Sequence, residues 1–358
     1  MASAAITAPA ETPRVGVRRW LADHPYAAYA IRRTALFVLT LWGALTVTFL
    51  FFHLIPGDPI TAFIATLEQQ NIYGVEAGKE AIEHYKELFG LNGSLFDQYV
   101  FYLRQLLITR DLGPSLINFP TPAQVAIYRA LPWTIGLLGL SVIISWVFGV
   151  ALGAFAGLRR NTAASQWLTN VAISLSHVPN YLIAVILVFI FAYRLAWFPP
   201  TAAYDPHYEK AFTLEFIGSV IQHGFLPALS LVIVFTCRDL LSTRTLIVPT
   251  LGDDYLTFAE AKGLRRGHVI RQYALRNCYL PLITGIAIQL GFVVSGNVIV
   301  ENIFNYPGIG NLLVQAIRTL DYNTIQGVVA MITFMVLLAN LVIDLALPFL
   351  DPRVKYWR

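Results

Sequence analysis

The stretch Trp133–Ala156, WTIGLLGLSVIISWVFGVALGAFA, is 24 residues long and carries no charge. At a rise of about 1.5 Å per residue, a helix of this length crosses a hydrocarbon layer about 30 Å thick. Five more apolar runs accompany it: Thr34–Leu54, Trp167–Phe191, Phe225–Leu241, Leu282–Val300 and Thr324–Leu347. Within Trp167–Phe191 the apolar character lapses at His177, Val178, Pro179 and Asn180. The runs are continuous rather than alternating, so a closed β-barrel of short alternating segments does not fit. Composition agrees: of 358 residues, 56% are hydrophobic and 13% charged, where a soluble domain carries about a quarter charged residues. The reading is an all-α integral membrane protein with six transmembrane helices.

The distribution of basic residues orients the six spans. Arg14, Arg18, Arg19, Arg32 and Arg33 precede the first, and Arg159 and Arg160 follow the second. Lys262, Arg265, Arg266, Arg271 and Arg276 lie between the fourth and fifth, and Arg353, Lys355 and Arg358 follow the sixth. A six-span path puts all of them on one side, so the positive-inside rule predicts cytoplasmic termini. The apolar run near the N-terminus is too long for a signal peptide and no small-residue cleavage site follows it, so it is read as a retained span. The expected organisation is a cytoplasmic tail at 1–33, span one at 34–55, an extracytoplasmic subdomain at 56–130, a membrane core at 131–350 and a cytoplasmic tail at 351–358. Cys237 and Cys278 flank a segment assigned to the cytoplasm, where a structural disulfide is not expected.

The outside subdomain contains two helical patterns. In Glu76–Phe89 the residues Ala77, Ala81, Ile82, Tyr85 and Phe89 recur at helical spacing, and Tyr99–Ile108 is nearly continuously apolar and is expected to pack on the core. A second outside segment runs from Trp197 to about His223, with Trp197 and Phe198 placed as an interfacial anchor. A third holds Asn305, Tyr306, Pro307, Gly308, Ile309 and Gly310, followed by the amphipathic stretch Leu312–Leu320, a candidate for re-entering the external mouth.

The segment between spans four and five is the most informative. It reads Asp254-Tyr255-Leu256-Thr257-Phe258-Ala259-Glu260-Ala261-Lys262-Gly263-Leu264-Arg265-Arg266-Gly267 and continues to Leu280-Pro281. Ala259 and Ala261 favour helix and permit close approach, and Gly263 suits the left-handed conformation that stops a helix. Arg265, Arg266 and Arg271 offer charge to a protein surface or to anionic lipid.

At these residues the chain resembles the inner-membrane permeases of bacterial ABC importers, and more narrowly the first permease of the dipeptide and oligopeptide importers. The resemblance extends from about Arg32 to Tyr356. It takes in Leu54-Ile55-Pro56-Gly57-Asp58-Pro59, Asp111-Leu112-Gly113-Pro114-Ser115, Leu131-Pro132-Trp133-Thr134, Ala274-Leu275-Arg276-Asn277, Val300-Glu301, Tyr306-Pro307-Gly308-Ile309-Gly310 and Asp351-Pro352-Arg353. It implies the type I importer fold, a coupling loop at 246–280 and a coupling helix made by Asp254, Tyr255, Thr257, Ala259, Glu260, Ala261, Lys262, Gly263, Leu264, Arg265 and Arg266. Thr257 stands where the general importer pattern has Glu, so a salt bridge from that position to an ATPase is not carried over. The implied partners are a second homologous permease, two ABC ATPase subunits, an extracytoplasmic substrate-binding protein and membrane lipid, with no nucleic acid. The implied substrates are di- or oligopeptides, although related permeases carry oligosaccharides or nickel complexes. Asn305, Tyr306, Pro307, Gly308 and Gly310 are expected at an external gate or binding-protein contact.

The chain has no phosphate-loop motif, no Gly-x-Ser-x-Gly turn and no metal-ligand spacing, so it is read as non-catalytic, with ATP and Mg on partner subunits and no cofactor of its own. Ser295, Gly296 and Asn297 are candidates for the pathway, being small and polar in an apolar run, as are Asn180 and Tyr181 beside the Pro179 break; close helix packing explains the same residues equally well. Pro227 permits a second kink, in span four. His53 and His223 are read as structural, and Asp344 as paired with a basic group at the cytoplasmic end. A secondary transporter driven by an ion gradient would need paired ionisable residues near the midplane, and none is expected from these runs.

Overall fold

The computed structural model describes residues 24–54, 93–117 and 121–350. Residues 1–23 and 351–358, the Glu76–Phe89 pattern and the segment directly after Leu54 lie outside the described residues, while the last part of the expected N-terminal tail, from Pro25, is already helix. Span one is α1, Pro25–Leu54, and a long helix α3 covers Ala123–Leu158. Between them α2, Leu95–Arg104, continues as a π-helical turn to Thr109. Then come α4 (Ala163–Ser176), α5 (Asn180–Leu187, extended in π geometry to Arg194), α6 (Leu214–Thr250), α7 (Asp254–Ala261) and α8 (Arg266–Val269). The chain ends with α9 (Leu275–Phe292), α10 (Val298–Ile303), α11 (Ile309–Arg318) and α12 (Tyr322–Leu350). Among the described residues there is no β-strand, only an isolated bridge between Pro114 and Pro122.

Five helices are long and apolar enough to cross a membrane, and the bent pair Ala163–Ser176 plus Asn180–Arg194 supplies a sixth crossing when counted as one. The interruption expected at Pro179 within Trp167–Phe191 is a sharp bend: the chain turns by 96° there. Pro179 has no N–H to continue α4, and the His177 ring lies 2.7 Å from the Ile173 carbonyl at its end. Pro227, by contrast, leaves α6 continuous, and Ser230 Oγ donates to its carbonyl at 2.7 Å. Span four is longer than its apolar run, reaching Thr250. Span five is shorter, ending at Ser295 because Gly296 takes φ +74° and breaks the helix before Val300.

The core is built on α3 packed along α6. Gly149, Gly153 and Gly157 form a stripe at four-residue spacing on α3, and a Cβ at Gly153 would lie 2.5 Å from the Leu240 carbonyl oxygen. Absent side chains let the two backbones touch, the main source of helix cohesion where lipid removes the hydrophobic drive. α2 does not enter this core: none of its residues is buried, and it rests on α1 through Tyr99 and Tyr102 against Phe49, at centroid distances of 5.2 and 5.6 Å.

The bundle has two distinct ends. At one, Arg33 Nη1 meets Asp344 Oδ2 at 2.8 Å, the basic partner expected for Asp344. Tyr26 and Tyr29 donate to the carbonyls of Leu345 and Asp344, and Arg160 donates to Val248 at the end of α6. α7 and α8 belong to this end. The other end gathers the turn at 111–117, the loop from Leu195 to Thr213, α10 and α11. There Trp133 stacks on Tyr204 (5.6 Å, 14°) and meets Tyr306 edge-on (5.9 Å, 87°). Ala202 N–H donates to the Phe304 carbonyl at 2.9 Å, which fixes the aromatic loop to the core.

Candidate functional site

α7 begins with Asp254, whose charge complements the positive end of the helix dipole. Leu256 and Ala259 are buried and pack with Leu251, Tyr255, Leu264, Val269 and Ala274. The opposite face is open: Asp254, Phe258, Ala261 and Lys262 are exposed, with Phe258 69% exposed. These positions recur at four, three and one residues and share one side of a helix. Lys262 N–H donates to the Phe258 carbonyl at 3.1 Å, after which Gly263 takes φ +74° and ends the turn. A Cβ at Gly263 would meet nothing within 4 Å. Arg265 is exposed and its carbonyl accepts from His268 and Val269, which starts α8. The side chains of Thr257, Glu260 and Arg266 lie outside the described residues. A cavity of about 530 Å³ separates this unit from the α3–α4 turn, lined by Arg159, Arg160, Leu251, Leu256, Val269 and Ile270 among others.

The far end carries a second constellation. α11 starts at Ile309, behind a glycine that has no side chain to cap it. Its four orphan N–H groups are nonetheless all satisfied. Gly308 N–H donates to the Tyr306 carbonyl at 2.7 Å, Ile309 N–H to Thr134 Oγ1 at 2.8 Å, and Gly310 and Asn311 to Glu301 Oε2 at 2.7 and 3.3 Å. Thr134 Oγ1 in turn donates to Glu301 Oε1 at 3.0 Å, and Asn297 N–H reaches the same oxygen at 3.4 Å. The carboxylate is wholly buried, and Gly296 and Gly310 leave the room it occupies: a Cβ would come to 3.3 Å and 3.0 Å of its oxygens.

A parallel node ties the turn at 111–117 to α12. The buried Asp321 caps α12 by accepting from Thr324 N–H at 3.0 Å. Its second oxygen accepts from Ser115 Oγ, Leu116 N–H and Thr324 Oγ1, each at 2.7 Å, and from Ile117 N–H at 3.2 Å. Asn323 Nδ2 holds the Pro114 carbonyl at 3.1 Å.

Several residues singled out in the sequence therefore come together. Thr134, Gly296, Asn297, Glu301, Gly308 and Gly310 form one cradle, with Tyr306 buried beside it and Asn305 exposed at its edge. Ser295 donates to the Phe292 carbonyl at the end of span five. Asn180 and Tyr181 lie apart from these, at the start of α5 past the bend. Cys237 and Cys278 are both free and buried. Among the described residues no cluster suits a metal ion.

Sequence reasoning missed a polar pair inside span four. Asp239 is 7% exposed and faces α3 and α9, where Gln289 Nε2 donates to it at 2.7 Å and Ser145 Oγ at 3.5 Å. Ser145 stands midway between Trp133 and Leu158, so Asp239 and its neighbour Arg238 lie near the middle of the spanning bundle. The two charges form no ion pair with each other, because Asp239 is held by Gln289 and Ser145. The signal was present as the doublet Arg238-Asp239, but the apolar run ends at Leu241, and that placed the doublet at a helix end when α6 continues to Thr250.

A family model for the binding-protein-dependent transport system inner membrane component matches residues 149–356. The glutathione transport system permease protein GsiC of Escherichia coli O6:H1 is 30% identical over 328 residues, covering 92% of this chain and 99% of the relative. GsiC of Escherichia coli K12 and of Shigella dysenteriae serotype 1 are each 29% identical over the same shares.

Proposed function

Because the chain belongs to the inner membrane components of binding-protein-dependent transport systems, as a non-catalytic permease subunit of an ABC importer, we propose that it forms half of the pathway for small peptides and couples that pathway to ATP through α7. As a member of that family it is a multi-pass protein of the inner membrane and works with a substrate-binding protein and ATPase subunits. The other half of the pathway is assigned to a second homologous permease, and ATP with its Mg to the ATPase pair. Both termini and α7 are assigned to the cytoplasm, and the α10–α11 end to the side where the binding protein delivers solute. Relatives named for transport of glutathione, a small peptide, support the substrate class.

The observation that carries this reading is the free face of α7. A large aromatic side chain standing 69% exposed on a short helix whose other face is anchored has the form of an interface anchor. Closure of the ATPase pair would then pull on α7 and, through Leu251 and the end of α6, on the bundle.

Phe258→Ala and Gly263→Trp test it in the purified importer. An added Cβ at Gly263 meets nothing within 4 Å, so a bulky side chain there is aimed at a docked partner, with the left-handed backbone adding about 1–2 kcal/mol of local strain. Gly263→Asn, which tolerates that backbone, is the control. Both test variants should lose ATPase subunits on purification, or keep hydrolysis while peptide uptake falls about tenfold or more. Normal assembly and uptake in both would sink the role given to α7.

A further inference from the structure

We propose that Arg238 faces the translocation pathway at the middle of the membrane and binds the carboxylate of the passing solute; this rests on the peptide reading above. The side chain is exposed, and among the described residues it makes no hydrogen bond or ion pair. Its neighbour Asp239 makes no ion pair with it, because the carboxylate turns inward and is held by Gln289 and Ser145.

Depth excludes a lipid-facing position. α6 runs beside α3, with Asp239 packed at Gly149 and Ile247 packed at Gly157. Ser145, level with Asp239, has about 18 Å of helix or more between it and either Trp133 or Arg159. Arginines snorkel to the interface from near helix ends, and at this depth a charged side chain in hydrocarbon is strongly unfavourable. The exposed face of Arg238 must therefore meet water, solute or protein. Toward the start of α6 the same face is apolar and buried, with Leu231 0% and Val234 1% exposed at seven- and four-residue spacing. From Arg238 onward it becomes polar, with Ser242 and Thr245 exposed at four- and seven-residue spacing toward the α7 end. A guanidinium at the head of a hydroxyl-lined track, its own neighbouring acid sequestered, suits a mobile anion. Its planar fork matches a carboxylate in two hydrogen bonds.

The complete importer in proteoliposomes supplies the test. Uptake is compared for one small peptide with a free C-terminal carboxylate and for its C-terminal amide. Arg238→Gln should lower uptake of the free acid about tenfold or more relative to the amide, and Arg238→Lys should retain most of the preference. Equal effects on both peptides would overturn the proposal. Independently, Arg238→Cys should be modified by a membrane-impermeant thiosulfonate, and the free-acid peptide should slow that reaction; the native thiols, being buried, give the background. No modification would place the residue against a second subunit and also overturn it. If the unaltered importer takes up neither peptide, the peptide reading fails with the carboxylate assignment, while modification at 238 still decides whether the position lines a water-filled path.

Discussion

Glu301 shows how one buried side chain can organise a helix at a distance. Its two oxygens accept from Thr134, Asn297, Gly310 and Asn311, so the carboxylate does for α11 what Gly308 cannot. Replacing it by glutamine would turn an NH2 group toward one pair of these donors, leaving them without an acceptor. Glu301→Gln should therefore destabilise this end by about 1–3 kcal/mol, and Glu301→Ala by more, since all four donors are then orphaned. Thermal denaturation of the detergent-solubilised subunit reads the difference, and equal stability of the glutamine variant would deny the carboxylate its capping role. Gly263 works by another route: its positive φ stops α7, and the empty space around it leaves the position available to a partner.

At the scale of elements, two contacts hold the bundle by different physics. The α3–α6 contact depends on missing side chains: Gly153→Leu would drive four carbons into the Leu240 carbonyl and Thr243. Overpacking of this kind costs about 1–3 kcal/mol in soluble cores, and here it would also push the α3 and α6 backbones away from each other along their length. Loss of the folded subunit from detergent extracts, or a clear fall in melting temperature, is the expected result. The α1–α12 contact depends on charge, joining Arg33 to Asp344 with side chains 42% and 32% exposed. Screening limits such a pair to about 1 kcal/mol or less. Arg33→Glu and Asp344→Arg should each lower the melting temperature slightly, and the double exchange should recover it; failure to recover would show that Tyr26 and Tyr29, not the ion pair, hold the two helices. The bent pair α4–α5 turns by 96° at Pro179, with the His177 ring placed against the Ile173 carbonyl at the end of α4.

Across the whole molecule, function divides between two ends. One end holds α7, whose buried face fixes it to the bundle and whose open face carries Phe258. The other is clasped by Glu301 and Asp321, two acids that each satisfy the start of a helix and tie it to a distant segment of the chain. Arg238 lies between them, on a face of α6 that changes from apolar to polar. A movement applied at α7 reaches that face along α6 without a flexible joint, since the helix is unbroken from Leu214 to Thr250. Most of the plan was legible in the residues: six apolar runs, a glycine-ended helix between the fourth and fifth, and a basic partner for Asp344. The cradle was legible only as a motif. Tyr306-Pro307-Gly308-Ile309-Gly310 and Val300-Glu301 stand out in the chain, but nothing in their spacing says that the glycines make room for the glutamate, or that Thr134 from another helix completes it.

The sequence by itself determined the class of protein, the count of its apolar runs and the place of the glycine-ended helix α7. These are properties of local composition: hydropathy over about twenty residues and the conformational freedom of one glycine suffice to read them. Tertiary structure alone decided how sharply span three bends, where spans four and five overrun or stop, which acids cap which helices, and that Arg238 and Asp239 lie deep in the bundle with only Asp239 turned into its core. Those outcomes depend on contacts between residues far apart in the chain, and a carboxylate's partners 9 and 167 positions away leave no mark in its immediate neighbourhood.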